Sequence, residues 1–67
     1  MQGTIKLWTE KGYGFAKADD GTGDYFIHCR SIGNLERGDN PMVGDRCEFD
    51  VENDRDGRRQ GVNVMMI

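Results

Sequence analysis

One proline, one histidine and two cysteines are all that 67 residues contain of those types, and no apolar run approaches the about 20 residues of a membrane-crossing helix. His28 and Cys29 are adjacent, and no further histidine exists to complete the four ligands that structural zinc requires, so no metal is expected. Positive charge is also scarce. Nine Lys and Arg face twelve Asp and Glu, a net charge of −3, which speaks against binding duplex DNA through a bulk basic field. Any nucleic-acid site must be local and must use something besides charge. The chain is also too short for a dinucleotide-binding unit or for a second lobe closing over a substrate. An enzyme, a cofactor and a small-molecule substrate are therefore not expected. The stretch through Gly3 and Lys6 lacks the apolar centre of a signal peptide, which points to the cytoplasm. There Cys29 and Cys47 would stay reduced and act as small apolar side chains.

What is present in quantity is glycine, ten residues, together with 31% charged residues. With a mean hydropathy of −0.74, this composition describes a polar, turn-rich chain. Apolar residues alternate with period 2 in short runs, and no segment carries a 3.6-residue apolar period long enough for a helix. The runs are Gly3 to Trp8, Tyr13 to Ala18, Asp24 to Arg30, Arg46 to Glu52 and about Arg59 to Met66, all within one domain spanning residues 1–67. A long connection from Ser31 to Gly44 separates the third and fourth runs. Five strands in so short a chain fit an all-β, five-stranded antiparallel barrel of the OB type, since a sandwich usually needs about seven strands and about 100 residues. Alternation assigns Ile5, Leu7, Ile27, Cys29, Val43 and part of Tyr25 to the core. Cys47, Phe49, Val51, Val62 and Val64 join them from the last two strands.

The opposite face of the first three strands is the informative one. It carries Lys6, Trp8, Tyr13, Phe15, Lys17, Phe26 and His28, although burying any one of the rings would favour folding by about 1.5–3 kcal/mol. A thin core that forgoes such residues indicates binding. Flat rings interleaved with lysines suit single-stranded nucleic acid, because each base stacks for about 1–3 kcal/mol while the cations follow the phosphates.

Lys11-Gly12-Tyr13-Gly14-Phe15-Ala16 resembles the first ribonucleoprotein motif of the cold-shock domain family, usually Lys-Gly-Phe-Gly-Phe-Ile. Tyr25-Phe26-Ile27-His28-Cys29 is similar to the second, usually Val-Phe-Val-His-Phe. Gly3-Thr4-Ile5-Lys6, Ser31-Ile32, Val43-Gly44 through Phe49, and Gln60-Gly61-Val62-Asn63-Val64 extend the resemblance over essentially the whole chain. The resemblance implies binding of single-stranded RNA or DNA, with RNA-chaperone, antitermination or gene-regulatory roles. By position it implies a ligand-facing set of Lys6, Trp8, Lys11, Tyr13, Phe15, Phe26 and His28, to which Arg58 is added at the barrel rim. Three departures stand out. Only Leu7 to Glu10 separate Lys6 from Lys11, one residue fewer than the family usually has. Cys29 replaces a phenylalanine, and the connection from Gly33 to Val43 has no aromatic. Lower affinity and a shorter footprint follow from the missing rings.

Other readings attach to the same residues. Tyr13 and Phe15 could form a second small core under the long connection, and His28 could be a structural histidine bonded to a carbonyl. Gly12 and Gly14 fit either a ligand's approach or a bulge. Arg55, Arg58 and Arg59, among Asp54 and Asp56, suit a solvated turn. The rings would equally anchor a protein-interaction module, and an OB factor for structured ribosomal RNA is a third alternative. A monomer is expected, with Met65, Met66 and Ile67 as the apolar end through which a dimer would form.

Overall fold

A computed structural model describes residues 1–36 and 39–67. Arg37 and Gly38, part of the expected long connection, lie outside the described residues. Five strands form where alternation places them: β1 (Gln2–Trp8), β2 (Tyr13–Ala18), β3 (Asp24–His28), β4 (Arg46–Asn53) and β5 (Arg59–Met66). They close a barrel in the order β1-β2-β3-β5-β4, with β4 returning to β1. Four seams are antiparallel, and the fifth, between β3 and β5, is parallel. The parallel seam joins strands that are not consecutive in the chain: β4 comes between them and pairs with β5 antiparallel.

Phe49 sits at the centre with Ile5, Ile27, Val64 and Cys47, all essentially inaccessible. Two glycines make room for its ring. A methyl group on Gly61 would collide with Ile27 Cδ1 and lie 2.9 Å from Phe49 Cδ2, and one on Gly3 would lie 3.2 Å from Phe49 Cε1. Ala16, Ala18, Tyr25 and Ile32 complete the buried set.

Five residues expected in the core are not fully buried, and each has a local cause. The β1–β2 register shifts between Ile5 and Leu7, so Lys6 is an extra residue and Leu7 turns outward, 48% exposed. Val43 lies in the Met42–Asp45 turn, closed by Asp45 N–H donating to the Met42 carbonyl at 3.0 Å, and is exposed. Val51 is exposed near the far end of β4, opposite Gly61. A second shift, between Glu48 and Asp50, puts Asn63 in the left-handed region at φ 50° and leaves Val62 only half-buried while Val64 is fully buried. Cys29 is partly buried because β3 stops at His28 rather than Arg30, and Cys29–Ser31 forms a 3₁₀ turn.

Candidate nucleic-acid interface

The Cβ alternation of β2 and β3 sends Tyr13, Phe15, Phe26 and His28 to one outer face while Ala16, Tyr25 and Ile27 fill the barrel. Across the β2–β3 seam, Phe15 is paired with Phe26 and Tyr13 with His28. Phe26 is the hub. Its ring centroid lies 5.6 Å from Tyr13, 5.9 Å from Phe15 and 6.4 Å from His28. These contacts set the tilts of the rings while leaving each partly exposed. Because of the shift at Lys6, Leu7 pairs with Phe15, and Phe26 in turn pairs with Gln60. Leu7, Phe15, Phe26 and Gln60 therefore form one row across β1, β2, β3 and β5.

Trp8 stands apart from this row. It pairs with Gly14, packs against the core cluster and donates its indole N–H to Asn40 Oδ1 at 3.2 Å. Gly14 is needed for that packing, because a Cβ there would meet the Leu7 carbonyl oxygen and Trp8 Cε3. Leu7 rather than Trp8 thus occupies the platform. Sequence alternation missed it because nothing in the residue types announces the extra residue at Lys6.

His28 combines a structural and an exposed role. Its Nδ1 accepts the Arg30 backbone N–H at 3.1 Å, capping the 3₁₀ turn, rather than donating to a carbonyl. A neutral ring that accepts at Nδ1 carries its proton on Nε2, which remains available as a donor. Lys11 lies exposed in the turn before β2. Thr9 N–H and Thr9 Oγ1 both donate to the Tyr13 carbonyl at 2.9 Å, and Gly12 at φ 89° carries the chain round.

The remaining cations differ in how free they are. Lys6 donates to Asp24 Oδ2 at 2.7 Å, an ion pair about half-exposed on both sides and therefore weak. Arg59 donates to the Thr22 carbonyl at 2.8 Å and lies 5.6 Å from the Tyr25 ring centroid. The Arg58 guanidinium has no hydrogen bond among the described residues; its backbone is held by Asp54, whose Oδ1 accepts the Arg58 N–H at 2.8 Å and whose N–H donates to the Arg58 carbonyl at 2.9 Å. Lys6, Leu7, Asp24, Asp54, Arg58, Arg59 and Gln60 line an open cleft of about 650 Å³ together with Phe15 and Phe26. Of these lining residues the sequence singled out Lys6, Phe15, Phe26 and Arg58 as ligand-facing and did not single out Asp24 or Gln60, while it assigned Leu7 to the core; strand pairing is what brings Leu7 and Gln60 beside the rings.

A five-stranded closed barrel with contiguous rings on β2 and β3, flanked by separate cations, defines the class of small OB barrels. Residues 1–67 match the family described as the 'Cold-shock' DNA-binding domain. The chain therefore belongs to the cold-shock domain family, and is a nucleic-acid-binding domain. It is 37% identical over 67 residues to "Cold shock-like protein" of Aquifex aeolicus (strain VF5), covering 97% of this chain and 94% of that protein. It is 39% identical over 64 residues to "Glycine-rich protein 2" of Nicotiana sylvestris, covering 94% of this chain but 29% of that protein. It thus spans under a third of this plant relative. The solved structure of drosophila Unr CSD456 superposes with a TM-score of 0.76 at 26% identity, over 98% of this chain and 26% of that one.

Proposed function

We propose that this domain binds single-stranded RNA or DNA across β2 and β3, by stacking bases on Tyr13, Phe15, Phe26 and His28, with Lys6, Lys11 and Arg58 meeting phosphates. The observation that carries this is the cluster of rings around Phe26 on the outer face of β2 and β3, each of them partly exposed. Trp8 borders the site and reports on it. A strand held by stacking rather than by base-edge contacts tolerates many sequences, which suits an RNA chaperone, an antiterminator or a regulator of gene expression in the cytoplasm. The domain acts alone as a monomer, without catalysis or cofactor.

The test is binding of a short oligouridine and a matched oligothymidine to wild type, Phe15→Ala and Phe26→Ala, with urea unfolding of each. Each substitution is expected to weaken binding by about 1–3 kcal/mol. Full retention of affinity in both variants would overturn the proposal and favour a surface for protein partners.

A further inference from the structure

β4 outlasts its neighbour on one side. β1 covers it only from Arg46 to Glu48, and beyond that seam the Phe49 N–H donates to the Met1 carbonyl at 2.8 Å. From there β4 runs on to Asn53 with β5 alone beside it among the described residues. Along a strand, successive residues aim their backbone groups at opposite edges. Phe49 aims at the β1 side, whereas the Arg46 carbonyl accepts the Ile67 N–H at 3.0 Å and the Asp54 N–H donates to the Arg58 carbonyl at 2.9 Å, both on the β5 side. Val51 and Asn53 keep step with Phe49, so their N–H and C=O groups face an edge that no described strand covers. Asp50, Val51, Glu52 and Asn53 are all exposed, Val51 at 44%. Their side chains follow a pattern of their own. Asp50 and Glu52 stand on the outer face, and Val51 lies between them on the face that Phe49 shares.

We infer that this edge takes an extended segment of a protein partner, antiparallel to β4 in continuation of β1, with two basic residues flanking an apolar one. The segment's backbone completes the bonds left open at Val51 and Asn53, as in other cases of strand addition. Its basic side chains stand opposite Asp50 and Glu52, and its apolar side chain opposite Val51, because directly opposed residues share a face. A second copy pairing through the same edge, Val51 against Val51, sets Asp50 against Glu52 twice, which is destabilising. Charge therefore selects a partner of the opposite sign over the chain itself. β5 lies between β4 and Phe26, so the added strand runs three strand spacings, about 14 Å, from the row of rings. The edge is thus separate from the face proposed for nucleic acid.

The experiment titrates the isotopically labelled domain, free of nucleic acid, with an acetylated and amidated heptapeptide alternating lysine and valine, and follows amide shifts and amide hydrogen exchange. Saturable shifts centred on Asp50 to Asn53 are expected, with exchange slowed at Val51 and Asn53. The same peptide N-methylated at its valines keeps its charge but cannot donate to the edge, and is expected to bind about tenfold more weakly. Equal binding of the two overturns strand addition and leaves only attraction between charges. Glu52→Lys, a change at an exposed side chain, is expected to weaken the lysine peptide about fivefold. Val51→Pro removes an N–H that no described strand uses, so it is expected to fold and to lose the peptide; unchanged binding in the folded variant overturns the site. Should that variant not fold, the N-methylated peptide decides on wild type. Absence of shifts in β4 also overturns the proposal. So does protection of Val51 and Asn53 that grows with protein concentration without peptide, since the edge would then belong to a second copy.

Discussion

At the scale of single residues, the site turns on which side chain of β1 reaches the platform. Leu7 pairs with Phe15 and is half-exposed, whereas Trp8 is drawn back onto Gly14 and Asn40. An aliphatic side chain at that point contacts a base but does not stack on it. Leu7→Trp should therefore add a ring to the row and strengthen oligouridine binding by about 1–3 kcal/mol, read by titration against wild type. Unchanged affinity would mean that the row Leu7, Phe15, Phe26 is not where the bases lie. Residue types alone identified Tyr13, Phe15, Phe26 and His28 correctly as one outer face, because the two strands that carry them are regular and their alternation is unbroken. Trp8 was placed by the same rule on a strand that breaks it.

At the scale of elements, strands were legible and their irregularities were not. The bounds of β2 and β5 follow directly from alternation between turn residues. The shifts in β1 and β5 each move an apolar residue, Leu7 or Val62, away from the face that period 2 assigns. One clue to the second shift did exist, since asparagine is among the residues that accept φ > 0, and Asn63 sits there at φ 50°. The long connection was opaque for another reason: side chains share in its attachment. Asn34 acts as a substitute strand residue, donating from Nδ2 to the Met66 carbonyl and accepting the Met66 N–H at Oδ1, both at 2.8 Å. Gly33 N–H adds a bond to the Val64 carbonyl at 2.8 Å. Asn34→Ala removes two bonds at once and should lower unfolding stability by about 1–3 kcal/mol in urea titration, at roughly 0.5–1.5 kcal/mol each. A loss below about 0.5 kcal/mol would show that water replaces both.

At the scale of the whole molecule, charge decides how the barrel responds to its solvent. Asp19 is held below the usual carboxylate range by its hydrogen bond to Arg46, against a small opposing effect of burial, and Asp20 by hydrogen bonds from Thr22. Both folded-state values lie under the unfolded ones, so the stability they contribute is present above about pH 4 and is lost as pH falls through the folded values. Thermal unfolding should show the midpoint declining below that pH, and Asp19→Asn should flatten the decline. Both groups are exposed, so the effect is expected to be modest.

The net charge of −3 sets the last expectation, because a chain with an acid excess can bind a polyanion only through cations placed locally. Among Lys6, Lys11, Arg58 and Arg59, Lys6 is paired with Asp24 and Arg59 with the Thr22 carbonyl, which leaves Lys11 and Arg58 as the readier of the four for phosphate. Two or three phosphates neutralised on a single strand give log K a slope against log salt of about −1.5 to −2. Lys11→Ala should make that slope shallower by about 0.7 and weaken all sequences alike, whereas Phe26→Ala should lower affinity and leave the slope where it was. A slope near zero in wild type would mean that the rings meet an uncharged partner. A slope unchanged in Lys11→Ala would instead take that lysine off the path of the strand and leave Arg58 and Lys6 to carry the charge.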